Sequence, residues 1–164
     1  MTHLPSLGPR GVGWVLLQGI LLVVVGAAGF HGIAVAEAAA WTGTLRVLTS
    51  AVALAAMAAG VIQVGRGVRD LGANLTPLPS PRDGAHLVET GIYGSVRHPI
   101  YGGLMLLGLG WALLAAYPLA IALAACLVPF FWLKSSVEER WLQERFPSYA
   151  GYRRRTRRFI ARIG

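Results

Sequence analysis

The segment RHPIY, residues 97–101, groups several side chains that can bind a charged ligand. Arg97 offers a forked set of N–H donors whose geometry suits a carboxylate. His98 and Tyr101 can hydrogen-bond a ligand or neighbouring backbone, and Pro99 restricts the chain between them. An alternative interpretation is that Arg97 anchors the end of a membrane helix, with Tyr101 as an interfacial aromatic residue. The segment is therefore a candidate ligand-binding site.

Two adjacent acids, Glu138 and Glu139, form the second candidate group. Neighbouring positions of a helix point about 100° apart, so the two carboxylates cannot both face one centre. We expect one of them to face a site, where it holds a polar group or acts as a base, and the other to brace it. The alternative is a surface ion pair at i,i+4 in which Glu138 contacts Lys134 and contributes little stability.

The composition indicates what kind of structure must position these groups. The chain has 164 residues, of which 55% are hydrophobic and 13% are charged, and its mean hydropathy is +0.57. This is too apolar for an ordinary soluble domain. Residues 11–36 and 47–65 contain no Asp, Glu, Lys or Arg, and none occurs between His98 and Lys134. Each run is near or beyond the ~20 residues that cross a bilayer, which predicts an integral membrane protein.

The third apolar run must fold back on itself. A single helix over residues 101–133 would be about 50 Å long, which exceeds the ~30 Å hydrocarbon core. Tyr117-Pro118 is the predicted break, because proline lacks an N–H donor and disfavours helix at the preceding residue. Both helices of this hairpin are predicted to be short, and Pro129 is predicted to kink the second. The fold class is therefore an all-α integral membrane protein with about four transmembrane helices, the last two forming a short C-terminal helical hairpin.

The charge distribution predicts how these helices are oriented. With an even number of spans, 14 of the 15 Lys and Arg residues fall on one side and only Arg46 falls on the other. The positive-inside rule then predicts that both termini and the central loop are cytoplasmic, in the plasma membrane of a prokaryote, and that the connection from Glu37 to Arg46 faces outside. The basic run YRRRTRRFIAR is predicted to contact anionic lipid headgroups and not nucleic acid.

Two polar segments remain to carry function: the central loop before the hairpin and the tail after it. Three prolines within residues 77–81 predict extended chain in the loop. Irregular backbone around Gly91 and Gly94 can expose N–H groups toward a ligand. The four histidines are scattered and no Cys or carboxylate cluster accompanies them, so no metal site is predicted. We divide the chain into two N-terminal transmembrane helices, residues 1–64, and a core of loop, hairpin and tail, residues 65–164.

The loop and the tail together resemble the isoprenylcysteine carboxyl methyltransferase and phospholipid methyltransferase superfamily of integral membrane enzymes. The resemblance covers roughly residues 65–160 and depends on HLVETGIYGSVRHPIYGG in the loop and EERWLQERFPSYAGYRRRTRRFI in the tail. The order and the spacing of these motifs both agree. The matching positions are His86, Leu87, Val88, Gly91, Tyr93, Arg97, His98, Pro99, Tyr101, Gly103, Glu138, Glu139, Tyr149 and Tyr152.

The resemblance implies an S-adenosylmethionine-dependent methyltransferase whose cofactor lies in a cytoplasmic pocket formed by the loop and the tail. The candidate cofactor-binding residues are all of the matching positions except Gly103. The candidate catalytic residues are Arg97, Glu138 and Glu139. Arg97 is expected to bind a carboxylate of the cofactor or of the substrate, and one of the glutamates is expected to hold a polar group of the cofactor or to act as a base.

The methyl acceptor is predicted to be lipidic or hydrophobic, because such a molecule reaches the pocket through the bilayer. The hairpin offers no acid that could hold a cationic headgroup, whereas Arg97 suits an acidic or thiol acceptor. We therefore expect a carboxylate or thiol similar to isoprenylcysteine. The alternatives are a phospholipid amine N-methyltransferase, a nicotinamide-dependent reductase similar to membrane sterol reductases, and a non-catalytic membrane adaptor. Besides the acceptor, membrane lipids are the expected partners.

Overall fold

A computed structural model of the protein describes residues 5–35 and 41–160, and within these ranges the chain is helical without a β-strand. Its α-helices, in chain order, are α1 (Val12–Ala34), α2 (Gly43–Leu71), α3 (Pro99–Ala115), α4 (Pro118–Ala125), α5 (Leu127–Arg145) and α6 (Tyr149–Arg155). The central loop between α2 and α3 contains short 3-10 turns, one of them at Gly91–Gly94.

Membrane-crossing length is reached by three helical stretches of the described chain: Pro9–Ala34, Gly43–Asn74 and Pro118–Arg145. Helix α3 is a shorter apolar helix of 17 residues, about 25 Å long at 1.5 Å per residue. The predicted fold class, an all-α integral membrane protein with about four membrane helices, is confirmed.

The turn between α3 and α4 falls at the predicted position. Helix α3 ends at Ala115, and Ala116 adopts a left-handed conformation with a φ of 50°. Pro118 then begins α4. Proline is well suited to the first position of a helix, because its missing N–H has no helical partner there.

The second arm of the hairpin is longer than predicted. The apolar pattern ends at residue 133, but the helical stretch continues from Pro118 to Arg145 with an interruption at Cys126. The continuation of this helix into the tail agrees with the expectation that Glu138 and Glu139 are helical, and only the predicted shortness of the arm is wrong, because Lys, Glu, Arg and Gln end an apolar run without ending a helix. The interruption lies one turn before Pro129, whose ring lacks an N–H and clashes with the carbonyl four residues earlier.

Helices α2 and α3 pack closely through small residues. The buried residues of α2 are Ala53, Gly60 and Gly67, which are seven positions apart. A Cβ atom on Gly103 would lie 2.8 Å from the Gly60 carbonyl oxygen, and one on Gly110 would lie 2.8 Å from the Ala53 carbonyl oxygen. This contact therefore requires glycine on α3, as in other membrane-helix pairs that pack through small residues.

Helices α1 and α2 expose large apolar side chains at the surface of the bundle. Val23 of α1 is 71% exposed and Val47 of α2 is 68% exposed. Surface of this kind is suited to contact with lipid. The opposite face of α1 packs on α3 and α4, where Trp111 Nε1 donates to the Gly26 carbonyl oxygen at 3.1 Å.

The four passes bring the central loop and the tail to one end of the bundle, here called the site end. The site end contains the start of α1, the end of α2, the start of α3 and the end of α5. Arg46 lies near the start of α2, at the opposite end, where it is the single basic residue of the described chain. Glu37 lies outside the described residues. Helix α2 is continuous through residue 64, and the division of the chain there stays a prediction.

Candidate functional site

A cavity of about 340 Å³ lies at the site end, where α2, α3 and α5 meet the central loop and α6. This volume is within the range of small-molecule sites. The cavity wall includes ten of the candidate residues from the sequence: His86, Leu87, Val88, Tyr93, Arg97, His98, Tyr101, Glu138, Tyr149 and Tyr152.

The central loop is fixed over this cavity by contacts with the end of α2. The Asn74 side-chain oxygen accepts a hydrogen bond from the His86 backbone N–H at 3.2 Å. Asp70 accepts one from the Ile92 backbone N–H at 2.8 Å. Gly91 has a φ of 59°, and a Cβ atom there would collide with the Asp70 carboxylate. Gly91 therefore allows the loop to approach α2, and it does not line the cavity.

The tail is joined to the loop by backbone pairing. Val96 and Arg157 form an isolated parallel β-bridge, in which the Arg97 backbone N–H donates to the Arg157 carbonyl oxygen at 2.9 Å. The Tyr152 hydroxyl donates to the Tyr93 carbonyl oxygen at 2.9 Å. The two motifs that are far apart in the sequence therefore form one continuous wall.

Glu139 is buried at the centre of a basic cluster, behind the Arg97 and His98 side chains that line the cavity. One carboxylate oxygen accepts a hydrogen bond from Arg97 Nε at 2.7 Å and lies 3.1 Å from His98 Nε2. The other oxygen lies 3.2 Å from Arg158 Nη2 and 3.3 Å from Arg153 Nε. Both oxygens of Glu139 are therefore occupied by protein groups, and this residue braces the loop against the tail.

Arg97 is mostly occupied by the same cluster. Besides the bond to Glu139, its Nη1 donates to the Thr156 carbonyl oxygen at 2.5 Å and to that of Arg153 at 3.4 Å. Within the described residues Nη2 has no hydrogen-bond partner, and Arg97 also lines the cavity. One edge of the guanidinium group is thus available to a ligand, and the rest of it holds the tail.

Glu138 faces the cavity. Its Oε2 accepts a hydrogen bond from the Tyr101 hydroxyl at 2.8 Å and lies 3.8 Å from His98 Nδ1. The other carboxylate oxygen has no partner in the part of the chain that the structure describes. The side chain of Glu138 is 24% exposed, against 3% for Glu139. Of the two adjacent acids, Glu138 is therefore the one that can contact a ligand.

Tyr149 supplies a buried polar atom without a partner. The residue is 1% exposed, it lines the cavity, and its hydroxyl makes no hydrogen bond within the described chain. Burial raises the pKa of the Tyr149 hydroxyl well above its usual value, so the group stays protonated. Buried polar groups are almost always hydrogen-bonded. The Tyr149 hydroxyl thus has a donor that no group of the described chain uses.

Three of the candidate residues do not line the cavity: Gly91, Pro99 and Glu139. Pro99 begins α3, and its carbonyl oxygen accepts a hydrogen bond from Gln63 Nε2 at 3.0 Å. All three residues hold the surrounding chain in place, as far as the geometry shows. Their contribution to binding or catalysis stays a prediction.

The structure also adds lining residues that the sequence did not single out. The early part of the loop, residues 74–81, forms one wall, and its three prolines were the available signal. Lys134 also lines the cavity, although the sequence offered it only as an ion-pair partner of Glu138. That alternative is not formed as a direct ion pair, because Lys134 Nζ contacts the Gln18 side chain and the Pro77 carbonyl oxygen instead.

The helices and the cavity define an integral membrane protein with a ligand site at one end of its bundle. The family model of phospholipid methyltransferases matches residues 48–148, from α2 to the residue before α6. Since this is more than half of the chain, the protein belongs to the phospholipid methyltransferase family and is a membrane methyltransferase. The resemblance to this superfamily is thereby confirmed. A search of curated proteins gives no match to the chain.

Proposed function

We propose that this protein transfers a methyl group from S-adenosylmethionine to a hydrophobic acceptor at the membrane boundary. The observation that carries the proposal is the cavity in which the loop and tail motifs of a methyltransferase family meet. A charged cofactor can enter from the aqueous side, and a hydrophobic acceptor can enter from the lipid side.

The residues around the cavity fit the chemical groups of this cofactor. Leu87, Val88 and the Tyr93 ring offer an apolar wall for a flat base. Glu138 has a free carboxylate oxygen that suits an ammonium group. The unpartnered Tyr149 hydroxyl can donate to a ribose or carboxylate oxygen. No described group of the cavity has to break an existing hydrogen bond to make these contacts.

The cofactor, when bound, supplies an electrophilic methyl group on a sulfonium. The contribution of this chain is to orient the two reactants and to keep water out of the cavity, and orientation alone can supply several kcal/mol. The loop and tail, joined through Val96 and Arg157, form the cover that excludes water. A carboxylate or thiolate acceptor needs no base, whereas an amine must lose a proton, for which Glu138 is the nearest carboxylate.

For the acceptor we propose a hydrophobic carboxylate or thiol similar to isoprenylcysteine. The apolar hairpin supports the proposal of a hydrophobic acceptor. The Arg97 Nη2 group, which has no partner in the described chain, supports the proposal of an acidic one. The second candidate is a phospholipid amine, which is favoured by the family that the chain belongs to.

The test is methyl transfer in nanodiscs with radiolabelled S-adenosylmethionine. A prenylated cysteine acid, a hydrophobic thiol and phosphatidylethanolamine are supplied in turn. Label in the acid or the thiol supports the preferred acceptor, and label in the phospholipid headgroup supports the second candidate. Label in none of them, with intact protein, counts against the methyl transfer proposed here.

We also propose that the site end faces the cytoplasm, which the distribution of basic residues supports. Cys126, which is exposed, is first replaced by serine. A cysteine introduced at Thr42 should then react with an impermeant thiol reagent in intact cells, and one at Ser80 or Ser148 should not. Labelling at Ser80 from outside would invert the orientation.

A further inference from the structure

Lys134 is a buried cation at the inner end of the cavity. It lies on α5, one helical turn before Glu138 on the same face, and it is 1% exposed. A charged side chain inside a membrane helix bundle is costly and is commonly retained for function. Nothing in the function proposed above uses Lys134.

Three elements converge on the Lys134 ammonium. It donates to the Gln18 side-chain oxygen of α1 and to the Pro77 carbonyl oxygen of the central loop, the second at 3.3 Å. It also lies 5.1 Å from the centroid of the Tyr101 ring. All of these partners are neutral, and they orient the ammonium toward the cavity without balancing its charge.

The charge of Lys134 has no acidic side chain in direct contact within the described chain, and Glu138, one helical turn away, is the acid that acts on it electrostatically. No carboxylate of residues 5–35 or 41–160 lies within 4.0 Å of its Nζ. An ammonium group has three N–H donors, and protein acceptors occupy two of them. A buried charge without an ionic contact is unfavourable, so an anionic group in the cavity would find both a free donor and a cation that no carboxylate touches.

Lys134 lies next to Glu138 in the cavity and also close to lipid-facing surface. The preceding residues of α5, Trp132 and Leu133, are 54% and 40% exposed, and Ile20 beside Gln18 is 61% exposed. Helices α1 and α5 thus present apolar surface next to Gln18 and Lys134, from which a lipid tail could reach the cavity.

We propose that Lys134, oriented by Gln18, binds the anionic group of a lipidic methyl acceptor, either a carboxylate or a phosphate. This inference rests on the proposed function and identifies the chemistry of its acceptor. It also gives α1, which lies entirely outside the matched family region, a direct part in the site. In a carboxylate acceptor, Lys134 binds the group that is methylated. In a phospholipid, Lys134 binds the phosphate, and the neighbouring amine is methylated.

The experiment is photolabelling in phosphatidylcholine nanodiscs at neutral pH, so that Lys134 keeps its charge. The probes are hexadecanoate, hexadecyl phosphate and hexadecanol that carry the same diazirine on the chain, each with and without S-adenosylhomocysteine. In the wild type, at least one anionic probe should label peptides of α1 and α5 about tenfold more than the alcohol does, as expected for a hydrogen bond to a charged group. The stronger anionic probe identifies the carboxylate or the phosphate as the preferred group.

Variants assign the preference to Lys134. Lys134→Met should reduce anionic labelling to the level of the alcohol, and Lys134→Arg should retain the preference. Gln18→Leu should reduce it less than Lys134→Met. Arg145→Met removes the same charge from the exposed end of α5 and should leave labelling unchanged.

The outcomes separate this inference from the proposed function. Unchanged anionic preference in Lys134→Met overturns the inference. If Lys134→Met binds S-adenosylhomocysteine more weakly but keeps its lipid labelling, the inference is also overturned, because Lys134 then binds the cofactor. If Lys134→Met does not fold, an unchanged preference in Gln18→Leu together with a lost preference in Lys134→Arg overturns it. Wild-type protein that fails to bind S-adenosylhomocysteine rejects the proposed function instead, and the labelling without cofactor still tests Lys134.

Discussion

Glu138 and Glu139 are neighbours in the chain but occupy opposite environments. Glu139 is enclosed by three arginines and a histidine, and both of its oxygens are occupied. Glu138 receives one hydrogen bond from Tyr101 and otherwise faces an open cavity. The difference shows that a rotation of about 100° between adjacent helix positions separates an enclosed carboxylate from one that is open to the cavity.

The largest effect is expected from Glu139→Gln. Removing one partner of a buried ionic cluster leaves the remaining cations uncompensated, at a cost of about 3–5 kcal/mol in the free energy of unfolding. The measurement is reversible unfolding in mixed micelles. A stability within 1 kcal/mol of wild type would show that the cluster is not structural.

The matched substitution Glu138→Gln should have the opposite profile. The unfolding free energy should change by less than about 1 kcal/mol, because the carboxylate is partly exposed and makes few contacts. Affinity for S-adenosylhomocysteine or turnover should fall by about 10- to 100-fold, as expected when a charge-assisted hydrogen bond is lost. If Glu138→Gln lowers the free energy of unfolding by several kcal/mol while the folded protein keeps full affinity, the assignment of the two acids is reversed.

Gly91→Ala tests how the loop is held, with Gly84→Ala as its control. Both glycines have positive φ, 59° at Gly91 and 75° at Gly84, so both substitutions incur backbone strain. A Cβ atom collides with Asp70 only at Gly91 and meets open space at Gly84. Gly91→Ala should therefore lose about 1–3 kcal/mol more stability than Gly84→Ala. Equal losses would show that the contact with Asp70 is unimportant.

The smallest effect is expected from Tyr149→Phe. Loss of a single neutral hydrogen bond to a ligand should weaken binding of S-adenosylhomocysteine by about 2- to 10-fold. Stability should hold or rise slightly, because the hydroxyl has no protein partner. Tyr117→Phe makes the same change at the opposite end of the bundle and should leave affinity unchanged.

Several features of the fold could be predicted because they depend on local sequence. Uncharged runs of sufficient length indicate membrane helices, and Pro118 indicates where the hairpin turns. The same reasoning underestimated the second arm, because hydropathy marks the apolar run and the helix continues through residues 134–145. The prediction that the loop and the tail form one pocket came from the family resemblance, because the periodicity of the sequence does not indicate it.

The distribution of roles within the site could not be predicted from the sequence. Helical geometry shows that Glu138 and Glu139 diverge, but only the packing of the tail shows which of them is enclosed. From the sequence, Arg97 was expected to bind a carboxylate of a ligand. The sequence does not show that carbonyl groups of the distant tail already accept hydrogen bonds from it. Lys134 depends on Gln18, which is 116 residues away in the chain. Such contacts are properties of the tertiary structure.

The most direct test of the central claim is calorimetric titration of the purified wild-type protein in detergent with S-adenosylhomocysteine and, separately, with NADPH. We expect S-adenosylhomocysteine to bind with micromolar or tighter affinity and NADPH to give no heat of binding. Binding of NADPH without binding of S-adenosylhomocysteine would contradict the account and favour a nicotinamide-dependent reductase.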